Sequence, residues 1–191
     1  MTTSAVRTDS AKRVLDTALE LFAAQGFDGT SLQQIADRLG VTKAAVYYHF
    51  PSKDQLLEAL VAPAFDELGA LLSEVEAMQG SGARQKHALQ AFVDYLLRHR
   101  AAAAWMRRDA AALTRPGVWA RSRDIERRLH ELLGAGDGDD VGRFWTGAIT
   151  LAVSGAVLDQ PAADEVWLRA EVSHLCAGLL STYRADRKSV V

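Results

Sequence analysis

Between Thr30 and Lys53 the chain reads TSLQQIADRLGVTKAAVYYHFPSK, a run that leaves the N-terminal part little freedom. Leu32, Ile35, Ala36 and Leu39 recur at the spacing that sets one apolar stripe on a helix, and Thr30 with Gln33 forms a capping box at its start. Gly40 ends that helix where a left-handed residue costs least. Thr42 is placed to cap a second helix, Lys43 to Phe50, with Val46 and Phe50 on one side and Val41 packing back from outside the cap. Pro51 closes it, and Ser52 with Gln55 opens the next helix. The spacing therefore predicts two short helices joined by a tight turn.

The second of these helices has an unusual outward face. At about 100° per residue, Ala44 and Tyr48 point nearly opposite to Val46, with Tyr47 on the flank. Lys43, Ala44, Ala45, Tyr47, Tyr48 and His49 together make a poor solvent face and a good one for a groove. Small residues near the helix start admit the backbone to base edges, while tyrosine hydroxyls, imidazole and lysine reach phosphates. The same pattern also fits a hairpin that is only scaffold in a helical bundle, with Tyr47 and Tyr48 buried.

These residues resemble the N-terminal DNA-binding domain of the TetR family of bacterial transcriptional regulators. The positions that carry the resemblance are Thr30-Ser31, Ile35-Ala36, Gly40-Val41-Thr42, Tyr47-Tyr48-His49-Phe50, Ser52-Lys53 and Leu56-Leu57. The match is gapless and lies in roughly the first third of the chain; beyond it, helical layout and length fit the family. The resemblance implies a ligand-responsive repressor that binds a near-palindromic DNA operator as a homodimer, one recognition helix per major groove. On that reading Lys43 and Gln33 are candidates for base contacts and Ala44 for contact with a thymine methyl. Thr30, Ser31, Thr42, Tyr47, Tyr48, His49 and Lys53 would fix position on phosphates. A helical small-molecule or protein-binding module with a non-DNA-binding hairpin, or an activator with the same DNA contacts, stays open.

Composition sets bounds on this reading. The 191 residues are 49% hydrophobic, enough for a real core, and the formal net charge of −2 gives no global signature of nucleic-acid binding. The claim rests on local charge: Arg38, Lys43 and Lys53 against Asp37, with Arg7, Lys12 and Arg13 upstream offset by Asp9 and Asp16. Cys176, the single cysteine, lies in an apolar segment and has no partner for an intrachain disulfide, which fits a reducing cytoplasm. The start MTTSAVRTDS lacks a signal peptide's apolar core, and no stretch of about 18 apolar residues is free of charge, so no membrane partner is expected. The histidines His49, His87, His99, His130 and His174 are scattered, and GAGDGDD at 134–140 lacks the spacing of a calcium loop. No nucleophile elbow, phosphate loop or dinucleotide fingerprint is present in the sequence, so neither metal, cofactor nor catalysis is expected.

The remaining chain predicts helices. Residues 1 to 8 read as a flexible arm, and Asp9 or Ser10 caps a first helix with the stripe Ala11, Val14, Leu15, Ala18, Leu19, Phe22 and Ala23, stopped at Gly26 with Phe27 folding back. From Ser52 an apolar pattern runs to Val75 across Pro63, which predicts either a kink or break near Ala62 or the start of a new helix. Further helices follow over Ala83 to His99, Ala101 to Leu113, Val118 to Leu133, Val141 to Leu158 and Asp164 to Tyr183. The expected fold is all-α, with a three-helix helix-turn-helix domain at 1–51 and a C-terminal helical effector-binding and dimerisation domain at 52–191, about nine helices in all.

Family members bind a small molecule in the C-terminal domain. The resemblance makes Trp105, Met106, Asp109, Trp119, Phe144 and Trp145 candidates for a mostly apolar effector pocket, although each also fits ordinary core. The last two helices are apolar around much of their circumference. Their small residues, Gly147, Ala152, Gly155, Ala170, Ser173 and Ala177 among them, make them candidates for a four-helix dimer interface, with a plain buried core as the alternative.

Overall fold

The computed structural model describes residues 3–133, 140–160 and 162–189, with side chains from Asp9 to Asp186. Among the described residues every regular element is an α-helix, ten in all. They are α1 Thr3–Gln25, α2 Leu32–Leu39, α3 Lys43–His49, α4 Lys53–Glu76, α5 Ser81–Arg98, α6 Arg100–Arg108, α7 Ala110–Leu113, α8 Pro116–Leu132, α9 Asp140–Leu158 and α10 Glu165–Ser189. The all-α class and the N-terminal three-helix arrangement are as the sequence predicts. Several boundaries are not. α1 is already helical at Thr3, so it does not begin at Asp9 or Ser10 and most of the expected arm is helix; Met1 and Thr2 lie outside the described residues. The acidic turn expected at 134–140 also lies outside them, except for Asp140 at the start of α9.

α4 runs on as one helix through Pro63, so the chain neither breaks near Ala62 nor starts a new helix at Pro63. A proline removes one rung of the hydrogen-bond ladder, and here Leu56, Leu57 and Val61 before it and Phe65, Leu68 and Leu72 after it are all buried. Burial of those six side chains outweighs one lost rung. In the segment expected as one helix over 101–113, Asp109 interrupts. Its carboxylate accepts from Ala112 N at 3.1 Å and so caps the short α7. Pro116, expected within a break, is instead the first residue of α8, the position where a missing N–H costs nothing.

The chain divides into two compact units, Met1–Pro63 with Trp105–Ala120, and Ala64–Ala104 with Arg121–Val191. The division expected at 51/52 is thus drawn differently, because the first unit takes in the start of α4 and a segment from the middle of the sequence. In the first unit Val14, Ala18 and Phe22 of α1 are buried with Ile35, Ala36, Val46, Leu56 and Leu57. Trp105 joins them, stacked on Phe22 with ring centroids 5.3 Å apart.

The second unit is a helical bundle whose core joins Leu68 and Leu72 to Leu89, Phe92 and Leu96, then to Ile149, Val153 and Val157, Leu168, Val172 and Leu180. Arg128 reaches Glu76 at 2.7 Å, and Trp145 Nε1 donates to Asp186 Oδ2 at 3.0 Å, tying α8 to α4 and α9 to α10. By length and composition α9 is apolar enough to cross a membrane. Its row of Thr146, Ile149, Val153 and Val157 is buried inside the bundle, however, which accounts for part of that apolarity.

Candidate nucleic-acid interface

The α2–α3 hairpin is fixed at each end by local chemistry. Ser31 caps α2: its Oγ accepts from Gln34 N at 3.2 Å while Gln34 Oε1 accepts from Ser31 N at 2.7 Å. The capping box therefore sits one residue later than Thr30 and Gln33. Thr30 is engaged elsewhere, its buried hydroxyl donating to the Gly26 carbonyl at 2.8 Å and accepting from Gln25 Nε2 at 3.2 Å. At the turn Gly40 takes φ 67°, and its N–H with that of Val41 satisfies the last carbonyls of α2. Thr42 Oγ1 then accepts from Ala45 N at 3.2 Å to start α3, which ends one residue before the expected Phe50.

Val46 is the buried residue of α3, and Phe50 follows it into the core. Everything else on the helix is offered outward or half-outward. Tyr48 is 71% exposed and Tyr47 42%, which removes the reading in which both rings are packed inside. Lys43 Nζ stands 5.4 Å from the centre of the Tyr47 ring, and the Tyr48 and His49 rings meet edge to face at 5.2 Å. Ala44 and Ala45 are exposed beside them, as are Ser31 and Gln33 on α2, where Gln33 Nε2 donates to Asp37 Oδ1 at 2.7 Å. Val41, expected to pack back, is 41% exposed because the Gly40 turn directs it to solvent.

Of the ten candidate contact residues, eight form or border this face and two do not. Thr30 is inside. Lys53 is half-buried, its ammonium donating to the Phe27 and Thr30 carbonyls at 2.8 and 2.9 Å and lying 4.3 Å over the Phe27 ring. Lys53 thus pins the start of α4 to the α1–α2 turn. Its charge supports the hairpin from behind rather than standing out on a bare surface.

The same turn is held from the other side by residues that sequence reasoning placed in an effector pocket or overlooked. Asp109 Oδ2 accepts from Phe27 N at 2.5 Å, and Arg115 lies 4.8 Å over the Phe27 ring while pairing with Asp28 at 2.9 Å. Trp105 and Met106 are buried in this first unit. The Asp in the run RRDAAAL was a legible capping signal for α7, but its second partner, 82 residues away, was not.

The six effector candidates are divided between the two units, four in the first and two in the second. Trp105 and Asp109 border a shallow 370 Å³ recess in the first unit. Trp119 and Phe144 are 54% and 69% exposed, and Trp145 is half-buried against Tyr183. In the second unit a 580 Å³ groove lies between α5 and α10, lined by none of the six.

The helices proposed for dimerisation present a clearer face. On α9, Phe144, Ala148, Leu151 and Gly155 fall within about 60° of one another, opposite the buried row. Phe144 and Leu151 are both 69% exposed, and on α10 Val166 and Trp167 are 78% and 50% exposed. Gly147, Ala152, Gly155 and Ala170 lie on or beside these faces, none of them buried, whereas Ser173 and Ala177 line the groove.

Comparison with known proteins agrees with this geometry. Residues 14–60 match the family described as bacterial regulatory proteins, tetR family. Over 60 residues, 31% of this chain, it is 45% identical to the HTH-type transcriptional regulator SrpR of Pseudomonas putida, covering 28% of that protein. It is 40% identical over the same length to the biofilm operon icaADBC HTH-type negative transcriptional regulator IcaR of Staphylococcus aureus, covering 32% of it. The matched stretch thus spans about a third of the length of these curated relatives. The fold as a whole is similar to that of AibR, solved in complex with isovaleryl coenzyme A and operator DNA, with a TM-score of 0.62, 22% identity, and coverage of 87% of this chain and 97% of that one. The similarity to the tetR family of bacterial regulatory proteins is thus carried by the N-terminal helix-turn-helix segment, residues 14–60.

Proposed function

We propose that the protein is a homodimeric, DNA-binding transcriptional repressor of the cytoplasm whose hold on a near-palindromic operator is released by a small molecule. The observation that carries this reading is the α3 face. Two tyrosines, a lysine and two alanines are held outward on a helix anchored by Val46 alone, between two capped ends. A solvent face gains nothing from exposed aromatic rings, but a major groove takes a helix with small residues near its start and hydroxyls and cations along its flank. Lys43 and Gln33 are assigned to base edges and Ala44 to a thymine methyl. Ser31, Thr42, Tyr47, Tyr48 and His49 are assigned to phosphates, with Lys53 positioning the hairpin.

The dimer follows from the second unit. Exposed Phe144, Leu151, Val166 and Trp167 form apolar faces on two adjacent helices, and a second copy of the same pair would cover them as a four-helix bundle. Repression is the sign taken from the resemblance, and negative regulation is what the name of the similar IcaR states. Effector control would act by changing the spacing of the two recognition helices, so that ligand and operator weaken each other reciprocally.

Selecting bound sequences from random duplex DNA tests the reading. The expected product is an inverted repeat whose half-sites lie one helical turn or a multiple of it apart. Enrichment of no sequence by the purified dimer contradicts it.

A further inference from the structure

The groove between α5 and α10 lies wholly within the second unit and has the volume of a small-molecule site, 580 Å³. Its floor is apolar: Leu89 and Val93 from α5, Cys176 and Leu180 from α10, all buried. Burial also pushes the Cys176 thiol up to about 11, so it brings no negative charge to the floor at neutral pH.

The two ends of the groove differ. Here the helices run antiparallel, Gln85 meeting Arg184 and Asp94 meeting Arg169, so the ends are about 13 Å apart along α5. At the far end Arg169 pairs with both Asp94 and Glu165, so its charge is more than offset and that end attracts no anion. The near end holds Lys86 and Arg184. Arg184 donates through Nε and a terminal nitrogen to the neutral Gln85 Oε1, and among the described residues no carboxylate pairs with either cation. Gly82 beside them adds no side chain to close that end.

We infer that this groove binds a single-chain anionic amphiphile, its carboxylate or phosphate head on Lys86 and Arg184 and its tail along the Leu89–Val93–Cys176–Leu180 floor. Charge complementarity selects the head, because a cation is repelled by the pair and a neutral head gives neither cation an ion-pair partner. The floor selects the tail, since the groove between its two ends is walled by apolar side chains that offer a wholly polar anion no hydrogen-bond partner. The inference supplies a ligand class to the effector step proposed above. It is tested without DNA, so failure of operator recognition does not register in it.

The probes are decanoate, decyl phosphate, decanol and decylamine, titrated by calorimetry into the full chain as the oligomer it forms. One anion per chain is the expected stoichiometry, with decanol bound about tenfold more weakly and decylamine not measurably. The head favoured, carboxylate or phosphate, separates a free acid from a phosphate ester as the source. Lys86 and Arg184 are both exposed, and K86Q/R184Q is expected to weaken decanoate at least about tenfold without changing thermal unfolding. A Leu89→Glu variant, which charges the floor, is expected to abolish it. Absence of binding by both anions, or binding of decanol and decanoate with equal affinity, overturns the inference; so does decanoate affinity unchanged in K86Q/R184Q.

Discussion

α3 and α9 both expose aromatic side chains, but they do so in opposite chemical settings. On α3 the exposed rings are phenols, with Lys43 against Tyr47 and His49 against Tyr48. On α9 the exposed side chains are Phe144 and Leu151, with Ala148 and Gly155 in the same row and no hydroxyl or cation among them. A ring with a hydroxyl and a neighbouring charge suits a wet, anionic groove, where each contact is a hydrogen bond or an ion pair. A bare hydrocarbon row suits a dry face that excludes water along its whole length. The contrast teaches that exposure alone does not name a partner. What stands beside the exposed ring does.

The strongest way to break the comparison is to charge the dry face. Phe144→Glu with Leu151→Glu places two carboxylates where a second copy is expected to pack, and the expected outcome in sedimentation is a monomer. Operator affinity should then fall by about a hundredfold or more, because linkage of two half-site contacts is lost. Retention of a tight dimer would remove α9 from the interface.

Next in size is an effect on the support of α3. Asp109→Ala removes both the α7 cap and the acceptor for Phe27 N, and should cost about 2 kcal/mol in chemical denaturation. An unchanged midpoint would mean that the 105–120 segment is not needed to hold the α1–α2 turn. A third substitution sharpens the wet side of the contrast. Lys43→Ala is expected to lose about 1 to 3 kcal/mol of discrimination at the base pairs it contacts, whereas Tyr47→Ala weakens all duplexes alike. Gel shifts on operator and scrambled DNA separate the two patterns, and identical behaviour of both variants would undo the division of roles.

The smallest effect concerns pH. Glu67 accepts from His99 Nε2 at 2.7 Å with Arg98 also bonded to it, and the His99 hydrogen bond first, then the Arg98 charge, holds its carboxyl below the usual range. A depressed carboxylate contributes stability that is complete above its unfolded value and disappears as pH falls through the folded one. The pair is solvent-accessible, so Glu67→Gln should cost under about 1 kcal/mol at neutral pH and nothing in strong acid. A loss that persists unchanged in acid would exclude the ion pair as its cause.

How far the sequence carried depended on the range of the interactions. Helix positions and the Gly40 turn were legible because apolar spacing and backbone preference act within a few residues. The capping box was displaced by one because Thr30 and Ser31 can both cap a helix, and the Gly26 carbonyl takes the Thr30 hydroxyl. Lys53 was legible as a motif residue but not in its direction, since the carbonyls that claim it belong to Phe27 and Thr30. The placement of Trp105 and Asp109 beside the α1–α2 turn was not legible for the same reason at longer range: nothing near position 105 announces that the neighbours are Phe22 and Phe27. The α9 face was readable in principle, for Phe144, Ala148, Leu151 and Gly155 repeat opposite Ile149 and Val153.

The central claim is that two outward-facing copies of α3 read adjacent grooves of one duplex. Hydroxyl-radical footprinting of the dimer on its selected sequence measures this directly. The account predicts two protected patches on one face of the DNA, one helical turn or a multiple of it apart, both lost in the Phe144→Glu/Leu151→Glu variant. A single patch, or uniform protection insensitive to that variant, would contradict it.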